Sequence, residues 1–190
     1  PEGSYTEIAA YKVCEILGYK NFIFEIKPSI LNVIESIDNN NGYFGVVPIE
    51  NSIEGIVRET VDNLIKTTSR VLISREIIIP INHCLITKSK NISGINKIIS
   101  HPQALAQCQH YIQKNFSGNI EIIPAPSTSD AVKQIADLPE NYAAIGTIRS
   151  SEIYGLNVID QNINDEKDNK TRFVLLNSNV SSPTEKDKTS

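Results

Sequence analysis

The chain has 190 residues, enough to bury an apolar interior as one domain or as two small lobes sharing a core. Its composition is ordinary for a globular protein, with 40% hydrophobic and 21% charged residues. A net charge of −4 with mixed signs argues against a nucleic-acid surface, and no apolar run reaches the roughly 18–20 residues that span a bilayer.

Apolar and polar segments alternate along the chain. Ile8, Ala9, Tyr11, Val13, Cys14, Ile16 and Leu17 recur at helical spacing and stop at Gly18, a C-terminal cap. Phe22 to Ile26 reads as a short strand. Pro28 opens a helix carrying Ile30, Leu31, Val33, Ile34 and Ile37, ended by the turn-forming run Asp38-Asn39-Asn40-Asn41-Gly42. Tyr43 to Val47 is a nearly continuous apolar strand, of the kind buried on both faces of a parallel sheet. Glu54 to Ile65 follows as a helix, then strands over Val71 to Ile79 and Ile81 to Thr87. Lys97 to Ser100 is a strand running into a helix from about Gln103 to Lys114. Ile120 to Ile123 is a strand, and Ser127 caps a helix through Ile135. Tyr142 to Ile145, Leu156 to Ile159 and Arg172 to Leu176 complete the strands, with a helical turn near Ser150 to Tyr154. Repeated βαβ units favour a mostly parallel sheet with helices on both faces.

Asn162 to Lys170 is polar and charged and reads as an exposed loop; Asn177 to Ser190 reads as a linker. Cys14, Cys84 and Cys108 are odd in number and widely spaced, which suits reduced thiols in a reducing, cytoplasmic compartment better than a disulfide framework or a zinc site. No secretory signal opens the sequence. With no Met present, a trimmed or processed chain is expected.

Four stretches carry polar residues that sheet-building does not need. Glu50, Asn51 and Ser52 follow the strand ending at Val47, where open α/β sheets place ligands; helix capping is the alternative reading. Ser100 precedes a helix on which Gln103 and Gln107 share a face; His101 and His110 lie too far apart on it to pair as metal ligands. Ser127 and Asp130 have capping-box-like spacing, and free N–H groups there could also hold a carboxylate. Thr171, Arg172 and Phe173 bring a hydroxyl, a planar cation and a ring into a strand; Arg172 suits bidentate carboxylate binding, or is a snorkelling surface residue. There is no GxGxxG, Walker lysine loop, GxSxG elbow or HExxH. From the residues alone, a cofactor-free α/β cleft binding a small anion is expected.

Taken in order, these stretches resemble the catalytic domain of the prephenate dehydratase family. The resemblance rests on Pro1 to Ala10, Gly45 to Gly55, Ser100 to Cys108 and Thr171-Arg172-Phe173, with a weaker echo in Ala144-Ile145-Gly146 and Ile153-Tyr154-Gly155-Leu156. It implies two α/β lobes with a cleft between them, similar to type 2 periplasmic binding proteins. A catalytic domain over 1–180 would divide into a first lobe of about 1–78 plus 163–180 and a second of about 79–162. Residues 181–190 would lead toward an ACT domain, absent here, through which phenylalanine acts as a feedback ligand. The implied reaction is decarboxylative dehydration of prephenate to phenylpyruvate in phenylalanine biosynthesis, with no cofactor and no metal. A homodimer or higher homo-oligomer is expected, with no nucleic-acid or membrane partner.

By the resemblance Thr171 assists the leaving hydroxyl, Arg172 anchors a carboxylate, and Phe173 forms apolar wall or else faces the core. Glu50, Asn51, Ser52, Ser100 and Gln107 bind and orient the substrate, and Ser4, Thr6, Ser127 and Thr128 line the cleft. Arogenate dehydratase, whose substrate carries an amine in place of the keto group, is the near alternative. A non-catalytic small-anion binding module is the more distant one.

Overall fold

A computed structural model of the chain describes residues 2–39, 42–66, 70–116, 118 and 120–178. Pro1, the Asn40-Asn41 part of the expected turn and the expected linker over 181–190 lie outside the described residues. The elements in chain order are α1 (Tyr5–Leu17), α2 (Ile30–Asn39), β1 (Gly45–Asn51), β2 (Gly55–Ile56), α3 (Arg58–Lys66), β3 (Leu72–Pro80), β4 (Cys84–Thr87) and β5 (Lys97–Ser100). They continue as α4 (Pro102–Gln107), α5 (Gln109–Asn115), β6 (Glu121–Pro124), α6 (Thr128–Asp137), β7 (Tyr142–Gly146), α7 (Ile148–Tyr154), β8 (Asn157–Gln161) and β9 (Lys170–Asn177).

The strands form two sheets, ordered β2-β1-β9-β3 and β6-β5-β7-β4-β8. Each is the centre of one α/β lobe. The mostly parallel sheet expected from the sequence is not found. β9 returns from the far end of the chain and inserts between β1 and β3, antiparallel to both. β4 likewise runs antiparallel between β7 and β8, and among the described residues only β5–β6 and β5–β7 are parallel. An apolar strand is buried on both faces whichever way its neighbours run, so hydrophobic pattern alone carries no strand direction.

β9 is the best-covered strand of the first sheet because its alternating side chains serve two interiors. Phe173 and Leu175 pack with Ala9 and Val13 of α1 and with Ile77 and Ile79 of β3. Val174 and Leu176 pack on the opposite face with Ile34 and Ile37 of α2 and with Val47. At about 1.5–3 kcal/mol per fully buried large apolar side chain, these four residues weld three strands and two helices together. In the second lobe Leu85, Ile98 and Ile145 bury one face beneath α4 and α5, and Ile86, Ile99 and Ala144 bury the other beneath α6.

Three expected elements change form. Phe22 to Ile26 makes no strand, and Ile23 is almost wholly exposed. The helix expected over Glu54 to Ile65 becomes a two-residue strand followed by α3. The helix expected over Gln103 to Lys114 breaks at Cys108, because Gln107 O accepts from Asp165 N at 2.7 Å instead of from the next turn.

The chain passes between the sheets twice, at 81–83 and 162–169, and the two crossings hold each other. Ile81 N donates to Asn169 O (2.9 Å) and Ile163 N to His83 O (3.1 Å). Asn164 bridges them by accepting from His83 N (2.7 Å) and donating to Ile81 O (3.1 Å). The segment 162–170 is exposed at Asn162, Glu166, Lys167, Asp168 and Lys170, as expected of a surface loop, but Ile163, Asn164 and Asn169 within it are buried.

A further contact joins the lobes at the chain start. Thr147, the N-cap of α7, donates from Oγ1 to Gly3 O at 2.6 Å. Gly3 has φ +75, and a Cβ there would lie 2.7 Å from Ser150 Cβ and 2.8 Å from its Cα. Both the left-handed backbone and the close approach require glycine. Gly3→Ala should therefore cost about 2–4 kcal/mol from overpacking and backbone strain combined. A thermal melt should show it as a drop of roughly 5–15 °C, and an unchanged melting temperature would contradict this contact.

Candidate active site

The polar residues at the meeting of the two lobes are ordered by one amide. Asn51 ends β1, and its Oδ1 accepts from Ile53 N (3.0 Å) and Glu54 N (3.1 Å). Backbone N–H groups can only donate, so the oxygen of the amide is fixed and Nδ2 must face the other way. In the β1–β9 register Asn51 lies opposite Thr171, which puts both side chains on one sheet face. Nδ2 donates to Thr171 Oγ1 (2.9 Å) and to Asn169 Oδ1 (2.8 Å), with Lys170 O at 3.3 Å.

The same logic passes to the second lobe. With Oδ1 of Asn169 occupied by Asn51, Asn169 Nδ2 donates to Gln107 Oε1 at 3.0 Å. Gln107 Oε1 also meets His83 Nε2 at 3.1 Å. Burial pushes the His83 imidazole below its ordinary pKa, against the opposing pull of the Gln107 bond. A neutral ring that donates from Nε2 leaves Nδ1 bare. Within this network two buried polar atoms then have no partner among the described residues, the Gln107 Nε2 amide and His83 Nδ1.

Thr171, Asn51 and Gln107 keep 8%, 8% and 9% exposure, while His83 (4%) and Asn169 (1%) lie behind them. The front three are thus the least buried residues of the network, although Gln107 Nε2 is itself buried. Thr171 Oγ1 accepts from Asn51, and among the described residues its own proton has no acceptor. The network holds a hydroxyl and an amide, at Thr171 and Gln107, whose donors have no acceptor among the described residues.

The remaining expected site residues fall elsewhere. Arg172 follows Thr171 on a strand, so it faces the opposite side of the sheet. There it meets Glu50 (3.4 Å) and Glu76 (3.9 Å), and all three side chains are exposed. The expectation that Arg172 and Glu50 share a crevice with Thr171 is corrected on this ground. Phe173 returns to the Thr171 face but is only 2% exposed, packed under α1 in the core, so it is not cleft wall. Ser100 has no exposed surface and donates to Ile145 O at 2.7 Å, tying β5 to β7. The cap of α4 is His101, whose Nδ1 accepts from Gln103 N.

Ser52 pins the incoming end of β9: its backbone N donates to Lys170 O, and its Oγ accepts from Lys170 N, both at 2.9 Å. Ser4 is the N-cap of α1 and accepts from Glu7 N. Ser127 caps α6, accepting from Asp130 N and donating to Asp130 Oδ2, and Thr128 begins that helix. Thr6 lines an apolar cavity of about 640 Å³ in the first lobe, bounded by α1, α2 and Phe22, Phe24 and Phe44. None of the hydrogen bonds of Ser4, Ser127 or Thr128 among the described residues joins the Asn51–Gln107 set.

His83 and Asn169 escaped the sequence reading. Asn169 stands inside a charged run that reads as surface loop, though it lies two residues before Thr171. His83 is a single histidine with no partner at recognisable spacing. Other chemistries find no support in the side chains. All three cysteines are free and buried, and burial pushes the Cys108 thiol up to about 12 and raises those of Cys14 and Cys84. Among the described residues no group of three or more His, Cys, Asp or Glu is placed to hold a metal, and no helix is long and apolar enough to cross a membrane.

Two α/β lobes joined by paired crossings, with polar groups converging where they meet, define a cleft-binding domain of the type 2 periplasmic-binding-protein-like fold. The prephenate dehydratase family model matches residues 1–181. The chain belongs to that family. It is 42% identical over 181 residues to a prephenate dehydratase of Methanocaldococcus jannaschii, covering 95% of this chain and 63% of that protein. It is 40% identical over 179 residues to the bifunctional chorismate mutase/prephenate dehydratase of Buchnera aphidicola subsp. Schizaphis graminum, covering 93% of this chain and 45% of that one. The crystal structure of prephenate dehydratase from Arthrobacter aurescens in complex with L-Phe superposes with a TM-score of 0.83 at 29% identity, over 97% of this chain and 60% of that one. The chain thus spans about half to two thirds of the length of these relatives.

The Asn51 amide can be tested by an isosteric change. Asn51→Asp sets a carboxylate oxygen against Thr171 Oγ1, Asn169 Oδ1 and Lys170 O, where the amide now donates. Leaving these buried groups unpaired should lower stability by about 2–3 kcal/mol. A urea titration should show this as a lower midpoint with an unchanged slope. An unaltered midpoint would refute the assigned polarity.

Proposed function

We propose that this domain converts prephenate to phenylpyruvate, releasing carbon dioxide and water. The observation that carries the reading is the state of Thr171: its oxygen is held by Asn51, and its proton has no acceptor among the described residues. In the reaction the C–C bond to the ring carboxylate breaks and its electron pair enters the ring. The C–O bond to the ring hydroxyl then releases hydroxide, which takes up a proton to leave as water. Negative charge builds on the departing oxygen, and a preset O–H donor stabilises that charge without reorganising. A threonine hydroxyl is too weak an acid to surrender its proton outright, so Thr171 acts as a hydrogen-bond donor, and Asn51 strengthens it by donating to the same oxygen.

The opposite end of the substrate falls to Gln107, whose Nε2 faces no protein acceptor among the described residues. Arg172 would have to leave two carboxylates and the far face of the sheet to serve as the anchor, so carboxylate recognition is assigned to Gln107 in its place. The lobes of this reading are about 1–78 plus 163–180 and about 79–162, with the reaction at their seam. The burial of the network favours loss of carbon dioxide by keeping the reacting carboxylate from water.

Thr171→Ala should lower kcat for phenylpyruvate formation by about 100–1,000-fold, the cost of removing one transition-state donor. Thr171→Ser should retain most of the activity, and circular dichroism should show both variants folded. Near-normal turnover by the folded alanine variant would remove Thr171 from the reaction, and no phenylpyruvate from the wild-type domain would end the reading itself.

A further inference from the structure

We propose that His83 is a positioning residue, holding the side-chain amide of Gln107 so that both hydrogens of its Nε2 are presented to the ligand. The proposal rests on the reading of the site given above.

Gln107 lies on the last residue of α4, where its backbone carbonyl has left the helix ladder to accept from Asp165 N. A glutamine at a broken helix end has three side-chain torsions to fix. Two donors fix them here: Asn169 Nδ2 at 3.0 Å and His83 Nε2 at 3.1 Å, both on the same oxygen. A carbonyl oxygen has two lone pairs, and both are taken. One donor alone would let the amide swing about the O···N axis; two from different directions hold its plane. The nitrogen end is then aimed away from both, buried and without a protein acceptor among the described residues.

His83 is itself held from three sides. Its backbone N donates to Asn164 Oδ1 (2.7 Å), and its carbonyl accepts from Ile163 N (3.1 Å). The edge contact with the Tyr5 ring, at 5.9 Å between centroids and 70° between planes, limits its rotation. Tyr5 is in turn fixed by donating to Asn82 O at 2.7 Å. His83 sits where the chain first crosses between the lobes, so its ring carries the geometry of the crossing to Gln107. The ring is only 4% exposed and lies behind the ligand-facing layer, which separates its role from direct contact.

The experiment is a double-mutant cycle on prephenate turnover with His83→Leu, Gln107→Ala and their combination, with His83→Gln as the conservative variant. His83→Leu should raise KM about tenfold with kcat within about twofold, as expected when a ground-state hydrogen bond is loosened. In the Gln107→Ala background the same change should alter kcat/KM by less than about twofold, because the residue it acts through is gone. His83→Gln, whose Nε2–H can occupy the place of the imidazole donor, should recover most of the affinity. It also guards against a leucine variant that fails to fold.

Losses that add in the double variant, or a folded His83→Gln as poor as His83→Leu, would overturn the proposal. The same cycle on prephenate affinity by calorimetry separates this inference from the assigned reaction. A wild-type domain that binds prephenate without turnover sinks the reaction and leaves His83 to be judged on affinity. A wild-type domain that neither binds nor converts it sinks both.

Discussion

The polarity of the whole inter-lobe network is set by two backbone N–H groups, those of Ile53 and Glu54, pointing at the Asn51 carbonyl oxygen. Everything beyond follows from the rule that each amide has one accepting and one donating end. Asn51 must donate to Thr171 and Asn169, Asn169 must donate to Gln107, and Gln107 is left with its donating end unclaimed. A turn in the first lobe therefore decides which kind of atom the second lobe offers to a ligand. The seam is addressed to oxygen acceptors before any ligand arrives.

That turn reaches Thr171 only because of how β9 is placed. Inserted between β1 and β3, β9 sets Thr171 directly opposite Asn51 and Ile79. A slip of one residue would carry Thr171 to the far face and bring Arg172 onto the network. The apolar packing of Phe173 and Leu175 against α1, and of Val174 and Leu176 against α2, resists that slip, since it would reverse all four. The bond geometry of the site thus depends on the hydrophobic alternation of the strand that carries it. Ser52, exchanging two bonds with Lys170, pins the strand where alternation alone has least to hold.

Much of this was legible in the sequence, and the illegible part has physical causes. Asn51 and Thr171 stood out because polar side chains at a strand end or in an apolar strand ask for a reason beyond packing, while Gln107, on a helix, was reached through the family resemblance. Strand direction was not legible, since β1 and β9 are apolar whichever way they run. Asn169 was hidden by its charged neighbours Lys167, Asp168 and Lys170; composition averages over a segment, while burial is settled residue by residue. His83 could be recognised only through a partner 24 residues away, which no local spacing reveals. The placement of Arg172 and Phe173 was legible from the strand itself. Alternation along a strand separates Arg172 from both its neighbours, and Phe173 continues a run of core residues.

The two unpartnered atoms show what the fold gives up for this arrangement. A buried polar group without a partner costs on the order of 1–3 kcal/mol, and both Gln107 Nε2 and His83 Nδ1 are so placed. Apolar residues at either position would relieve that cost, and the surrounding sheets supply ample apolar packing to accept them. Yet the same two residues receive firm support: Gln107 takes two donors on one oxygen, and His83 has its backbone bonded on both sides. Rigid support beneath an unpaired donor is the pattern of a group held ready for an external acceptor, because mere misfit would let the side chain turn toward solvent. At Gln107 the unpaired group is a donor, which a bound oxygen could satisfy.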